Sequence, residues 1–145
     1  MKKVIFLTLF CLLTFVSCVS TPSTSSIQNE ITKSMDMNKE TSIKVARLWV
    51  AENFRSAKNV IDFYDESLNV LTGNGIVVNY EGILPTEFGF RFKIQINEKT
   101  ATVTFSQFTA GTGHYPVTNG TIGRKWFYNR LDFLANDLFS YLYNF

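Results

Sequence analysis

Phe88, Phe90, Phe92, Ile94 and Ile96 stand at strict period two, with Arg91, Lys93 and Gln95 between them. Alternation of that length puts one face of a strand against a core and the other in water. The chain must therefore build a sheet with one covered face, and it must supply the cover itself. Asn97-Glu98-Lys99 follows as a tight turn, and Ala101, Val103 and Phe105 continue the alternation on an antiparallel return. Upstream, residues 60–64 (VIDFY) alternate around Asp62, Asp65-Glu66-Ser67 breaks the pattern, and Leu68, Val70, Ile76 and Val78 resume it. Gly73-Asn74-Gly75 inside that second run predicts a bulge or sharp kink. Glu81-Gly82 and Pro85 separate this hairpin from the next.

The cover is predicted from two helical stretches. In the first, starting at Asn38 or Thr41 and reaching about Ser56, Ile43, Ala46, Val50 and Phe54 recur at spacings of three and four beside Trp49, while Lys44, Arg47 and Glu52 lie toward the other side. Asn38, Glu40 and Thr41 supply capping oxygens and an acidic first turn. In the second, over residues 122–145, Phe127, Leu131, Leu134, Leu138, Tyr141 or Leu142, and Phe145 form the stripe, widened by Trp126 and Phe133. Between sheet and helix, residues 109–121 (TAGTGHYPVTNGT) are rich in glycine and read as a loop. Ile27, Ile31 and Met35 alternate with Asn29 and Lys33, which predicts a first strand. The order β-α-β-β-β-β-α, an antiparallel sheet of four to five strands with two helices on one face, is an α+β two-layer sandwich. With 145 residues, 22 of them Phe, Tyr or Trp, the chain has one core and one domain, over 38–145.

The first residues belong to a different piece of chemistry. Lys2 and Lys3 precede an apolar run over 4–16, too short to span a bilayer comfortably. The run ends in Phe15-Val16-Ser17-Cys18, which resembles a bacterial lipoprotein processing box with Phe15 in place of the usual leucine. Residues 1–17 are then a lipoprotein-type signal peptide, and Cys18 becomes the lipidated first residue, carrying palmitate-like acyl chains. The alternatives are an ordinary signal peptide cleaved nearby and a short uncleaved anchor. Residues 18–37 comprise this cysteine, a Ser/Thr tether (VSTPSTSS, 19–26) spanning about 15 Å, and the first strand.

Cleavage before Cys18 discards Cys11 and leaves no second cysteine, which closes disulfide, thiol-nucleophile and cysteine–zinc chemistry. It also removes two of the 14 basic side chains, leaving 12 against 12 acidic ones. A neutral domain lacks the unopposed cations that a nucleic-acid binder needs, so no nucleic acid is expected as a partner.

Ala46, Trp49, Phe54, Val60-Ile61 and Gly73-Asn74-Gly75-Ile76, in this element order, resemble a family of bacterial envelope proteins described as a domain of unknown function with a fold like the TATA-binding protein. The resemblance covers about 27–108. It implies the fold, and it implies no activity and no catalytic residues; DNA binding does not follow from the fold name.

The remaining side chains offer little chemistry. His114 is the single histidine, so a multi-histidine metal site is closed; no metal and no cofactor are expected. No G-x-S-x-G elbow surrounds any serine. Asp62, Asp65 and Glu66 gather at one turn, and Glu81 and Glu87 flank another loop, the raw material for paired-carboxylate hydrolysis of cell-wall or glycan material. That reading requires two acids converging in one cleft with one pKa raised. Asn119-Gly120-Thr121 matches a glycosylation acceptor, which the bacterial-type leader makes incidental. Trp126, Tyr128, Tyr141 and Tyr143 either pack on the sheet or form a docking face for an envelope protein or a second copy. His114-Tyr115-Pro116 in the glycine-rich loop is a second contact candidate, and inserted into another protein's active site it would make the chain an inhibitor. The expectation is a lipid-anchored envelope protein, with Val19 after the cysteine resembling the outer-membrane sorting pattern, whose domain is a non-catalytic binding or scaffolding module contacting partners through a sheet face, the 109–121 loop or Trp126. The enzyme and the inhibitor are the alternatives.

Overall fold

The structure is a computed structural model and describes residues 28–36, 38–54 and 60–145; the expected signal peptide over 1–17, Cys18 and the expected tether over 19–26 lie outside them. Its elements are β1 (Asn29–Ser34), α1 (Lys39–Asn53), β2 (Ile61–Asp65), β3 (Val70–Asn79), β4 (Thr86–Ile96), β5 (Thr100–Ala110), β6 (Tyr115–Pro116) and α2 (Arg124–Tyr143). The strands form one antiparallel sheet in the order β1-β5-β4-β3-β2, with β6 added to β5. Both helices cover one face, as the alternation in β4 requires.

The registers show how the pattern becomes a layer. Leu71 pairs with Ile94, Gly73 with Phe92 and Gly75 with Phe90 across β3 and β4; Phe92 pairs with Phe105 and Ile94 with Val103 across β4 and β5. These residues are all buried and face the helices. Aromatic rings bind the layers together. Phe88 stacks on Phe127 of α2 at 4.8 Å, and Phe54, just past α1, stacks on Phe92 at 5.7 Å. Trp49 of α1 donates its indole N–H to Asp137 Oδ2 of α2 at 2.7 Å, which satisfies a buried donor and ties the helices to each other.

The caps explain where the helices start and stop. Asn38 opens α1 by accepting from the Glu40 N–H at 2.9 Å, and its carbonyl takes the Ser42 hydroxyl. Gly123 precedes α2 with φ of 78°, and a Cβ there would stand 2.9 Å from Asn79 Nδ2 and 3.2 Å from Phe88 Cζ. The site is closed to side chains on two counts.

Three expectations need correction. First, Gly73-Asn74-Gly75 makes no bulge or kink: β3 pairs with β4 residue for residue from Val70 to Asn79. A Cβ at Gly73 would strike the Val60 carbonyl and stand 2.7 Å from Phe92 Cζ, and one at Gly75 would strike the Phe90 ring and stand 3.1 Å from Phe54 Cε1. The glycines are beds for β4 phenylalanine rings. The register shifts lie on other strands, between Ile61 and Phe63 of β2, directly opposite Gly73 and Thr72, and opposite Gly89–Arg91 in β5, where Gln107 has φ of 53°. Second, 109–121 is not all loop. Thr109 and Ala110 complete β5 and pair with Pro116 and Tyr115 of β6, leaving a tight turn at 111–114. Third, the buried stripe of α2 includes neither Phe133 nor Phe145: Phe145 lies past the end of the helix and is exposed, and Phe133 is exposed with the Arg130 guanidinium 4.7 Å from its ring centroid.

The segment before α1 joins the sheet. β1 pairs with β5 from Asn29↔Phe105 to Ser34↔Thr100. Among the described residues no helix is long and apolar enough to cross a membrane.

Candidate binding surface

The face of the sheet away from the helices is open. Across it run Thr72, Lys93, Thr104 and Glu30 in one row, and Asn74, Arg91 and Ser106 in the next. Hydroxyls dominate its β1–β5 side, where Thr32 and Thr102 share a bond at 3.0 Å and Thr104 reaches Glu30 at 3.5 Å. On the β2 side Arg91 pairs with Asp62 at 3.5 Å, and Asn74 donates to the same carboxylate at 2.8 Å. Phe63 and Ile76 add exposed apolar surface there. The face can offer hydrogen bonds and modest apolar contact along a pleated plane. Its two cations, Arg91 and Lys93, are outnumbered by the four carboxylates of Glu30, Asp62, Asp65 and Glu87 on the same face or its rim.

One end of the sheet gathers loops. The β3–β4 connection (80–85), the β5–β6 turn (111–114) and the β6–α2 connection (117–123) meet there. Asn79 organises them: its Oδ1 accepts from the Glu81 N–H at 2.8 Å, while its Nδ2 lies against Gly123. The Gly111 N–H donates to the Glu87 carbonyl at 2.8 Å, and the His114 N–H to the Gly111 carbonyl. His114 and Tyr115 are both exposed at this end, His114 with φ of 51°. Trp126 is half-buried in the first turns of α2, its ring 6.1 Å from that of Phe88. Tyr128 and Tyr141 also pack on the core, whereas Tyr143 is exposed at the far end of α2. Arg124 lies over the Tyr128 ring, and Arg124 Nε and Tyr128 Oη are buried without a hydrogen-bond partner beside a shallow depression that Asn119, Thr121 and Lys125 also line.

The two acidic groups lie at opposite ends of β3 and do not meet. Asp65 lies beside Val70 at the start of β3 and Glu87 beside Val78 near its end, so about 26 Å of strand at roughly 3.3 Å per residue separates the two groups. Paired-carboxylate hydrolysis needs a separation of about 5–10 Å. Asp65 caps its own turn, accepting from the Ser67 hydroxyl at 2.6 Å and from the Ser67 and Leu68 N–H groups at 2.8 and 3.1 Å. Those bonds, the Ser67 hydroxyl first and the Leu68 N–H next, hold its carboxyl below the usual aspartate value, the opposite of what a general acid needs. Among the described residues no cluster of three His, Cys, Asp or Glu side chains could hold a metal ion.

The Asp65 turn gives a pH dependence with a definite sign. A carboxyl whose folded pKa is depressed contributes stability above its unfolded pKa and loses it as pH falls through the folded value. Urea unfolding of Asp65→Asn at neutral pH and at about pH 3 should show a smaller acid-induced loss than the parent. An equal loss would remove Asp65 from the acid response.

No family model matches the chain, and no curated protein matches it in sequence. Solved structures do match. A TBP-like protein from Parabacteroides distasonis ATCC 8503 superposes with a TM-score of 0.61 at 10% identity, covering 81% of this chain and 92% of that one. A DUF4468 family protein from Bacteroides ovatus ATCC 8483 superposes with a TM-score of 0.53 at 15% identity, covering 81% and 84%. At such identities the likeness shows the fold: an antiparallel α+β sheet of the TBP-like kind with two helices on one face.

Proposed function

We propose that the chain is a bacterial lipoprotein, held at a membrane of the cell envelope by acyl groups on Cys18, and that its α+β domain is a non-catalytic binding or scaffolding module. The observation that carries this reading is the sequence Phe15-Val16-Ser17-Cys18 at the end of an apolar run that follows Lys2-Lys3, with a Ser/Thr tract directly after it. Val19 after the cysteine favours the outer membrane, with the domain facing the periplasm or the exterior.

The domain's geometry supports a binding role. Among the described residues one sheet face is left open and carries hydroxyls, more carboxylates than cations, and the exposed Phe63 and Ile76, a surface suited to another envelope protein or to a second copy. Its excess of carboxylates over cations argues against nucleic acid. The separated carboxylates argue against the glycan-hydrolase alternative.

Feeding a bacterial host an alkyne-tagged fatty acid tests the anchor. The wild-type chain in the membrane fraction should take up the tag and the Cys18→Ala variant should not. A wild-type chain that stays untagged would sink the lipoprotein reading.

A further inference from the structure

The loop end of the sheet is more apolar than a solvent-facing loop cluster requires. Ile83 is fully exposed, and Tyr80, Leu84, Tyr115 and Ile122 are each more than 70% exposed. Tyr80, Ile83, Leu84 and Ile122 lie on the connections that meet near Asn79 and Gly123, and Tyr115 opens β6 beside Ala110 at the same end. Pro85 and Gly82 flank Ile83-Leu84, and neither residue has a place in the buried layer. Exposed apolar side chains gathered at one end in this way mark a contact with something else.

The course of the chain says what covers it. β1 runs from Asn29 beside Phe105 to Ser34 beside Thr100, so its first residue is the one nearest the loop end. Farther along the same edge of β5, β6 already occupies Thr109 and Ala110. β1 therefore begins at the end of the sheet where Tyr115 lies. A chain of that length, from Asn29 back to Cys18, can bridge about 17–20 Å as a coil and at most about 37 Å when extended. The rise from Phe105 to Ala110 is about 17 Å. A membrane-anchored Cys18 thus lies within reach of the tips of the loops, and a bilayer is the surface that both features share. Arg124 and Lys125, the second and third residues after Ile122, add two cations where anionic headgroups would stand.

Resting on the anchor reading, we propose that the domain stands on the bilayer with Tyr80, Ile83, Leu84, Tyr115 and Ile122 seated at the boundary between headgroups and acyl chains. The sheet then stands upright, and its open face looks sideways, free for a partner. Tyr143, at the other end of α2 and about 28 Å from Arg124 at 1.5 Å per residue, points away from the membrane.

Tryptophan placed at either end tests this. The full chain, as a bacterial host processes it, is purified from the membrane fraction as the parent and as Ile83→Trp and Tyr143→Trp. Each is reconstituted into phosphatidylethanolamine–phosphatidylglycerol vesicles with and without brominated acyl chains. Relative to the parent, Ile83→Trp should add blue-shifted emission that brominated lipid quenches, and Tyr143→Trp should add water-like emission that it does not quench. Water-like, unquenched emission at position 83 in protein whose mass shows acylated Cys18 would overturn the docking and leave the anchor standing. Equal quenching at both positions would overturn it too, because the domain would then have no preferred end. A protein recovered without acyl groups contradicts the anchor, and the docking falls with it.

Discussion

Phe127→Ala is expected to lower the unfolding free energy by about 3–5 kcal/mol, the cost of removing a fully buried aromatic ring and leaving a cavity. Phe127 has no exposed surface and is the point where α2 is fixed to the sheet. Its ring stacks on Phe88 at 4.8 Å, meets Phe108 edge-on at 5.5 Å and lies 6.2 Å from Phe90. Those partners come from β4 and β5, so no small movement of one element can refill the space. Against a typical domain stability of about 5–15 kcal/mol, such a loss removes a large share of the folding free energy. Urea unfolding followed by far-ultraviolet circular dichroism reads it directly. A loss below about 1 kcal/mol, the level of a surface substitution, would mean that α2 is not docked as described.

Gly75→Val should destabilise by about 3 kcal/mol, near the upper part of the overpacking range. The added methyls meet the Phe90 ring on the sheet and Phe54 from α1, and neither ring has room to retreat: Phe90 is held edge-on to Phe105, and Phe54 is stacked on Phe92. The clash is specific, so it should be rescued in part. Phe90→Leu withdraws the ring atoms that Gly75 faces, and the double variant should lose less than the sum of the two single losses. Plain additivity in the same unfolding assay would show that the glycine serves something other than the ring above it.

These two sites also show what a reader of the sequence can and cannot see. β4 was legible because five apolar residues at period two admit one interpretation, and Phe127 fell on the helical stripe for the same reason. Gly73 and Gly75 were visible but ambiguous. A glycine in a strand signals either a bend or a close approach, and only the pairing of β3 with β4 decides between them. β1 is a half-exposed edge strand whose alternation is diluted by Lys33, bonded to Asn136 of α2 at 2.8 Å. β6 has two residues, too few for any period.

Phe133 illustrates the limit for helices. Its spacing beside Trp126 suited a widened stripe, but Leu131, Leu134 and Leu138 already fill the sheet-facing side, so the ring turns outward under Arg130. The open sheet face and the loop end were less legible still, because each is assembled from residues far apart in sequence. Ile83 and Leu84 offered a local clue: lying between Gly82 and Pro85, they sit in a turn and not in a layer. That Tyr115 and Ile122 join them follows from the β5–β6 pairing and the Asn79–Gly123 contact, which no sequence period announces.

The account depends above all on Cys18. Intact mass of the membrane-fraction protein from a bacterial host, beside the Cys18→Ala variant, addresses it most directly. The account predicts a wild-type mass equal to the chain beginning at Cys18 plus a diacylglyceryl group and an added fatty acid, with no such species from the variant. An unmodified wild-type mass, beginning at a residue other than Cys18, would contradict it.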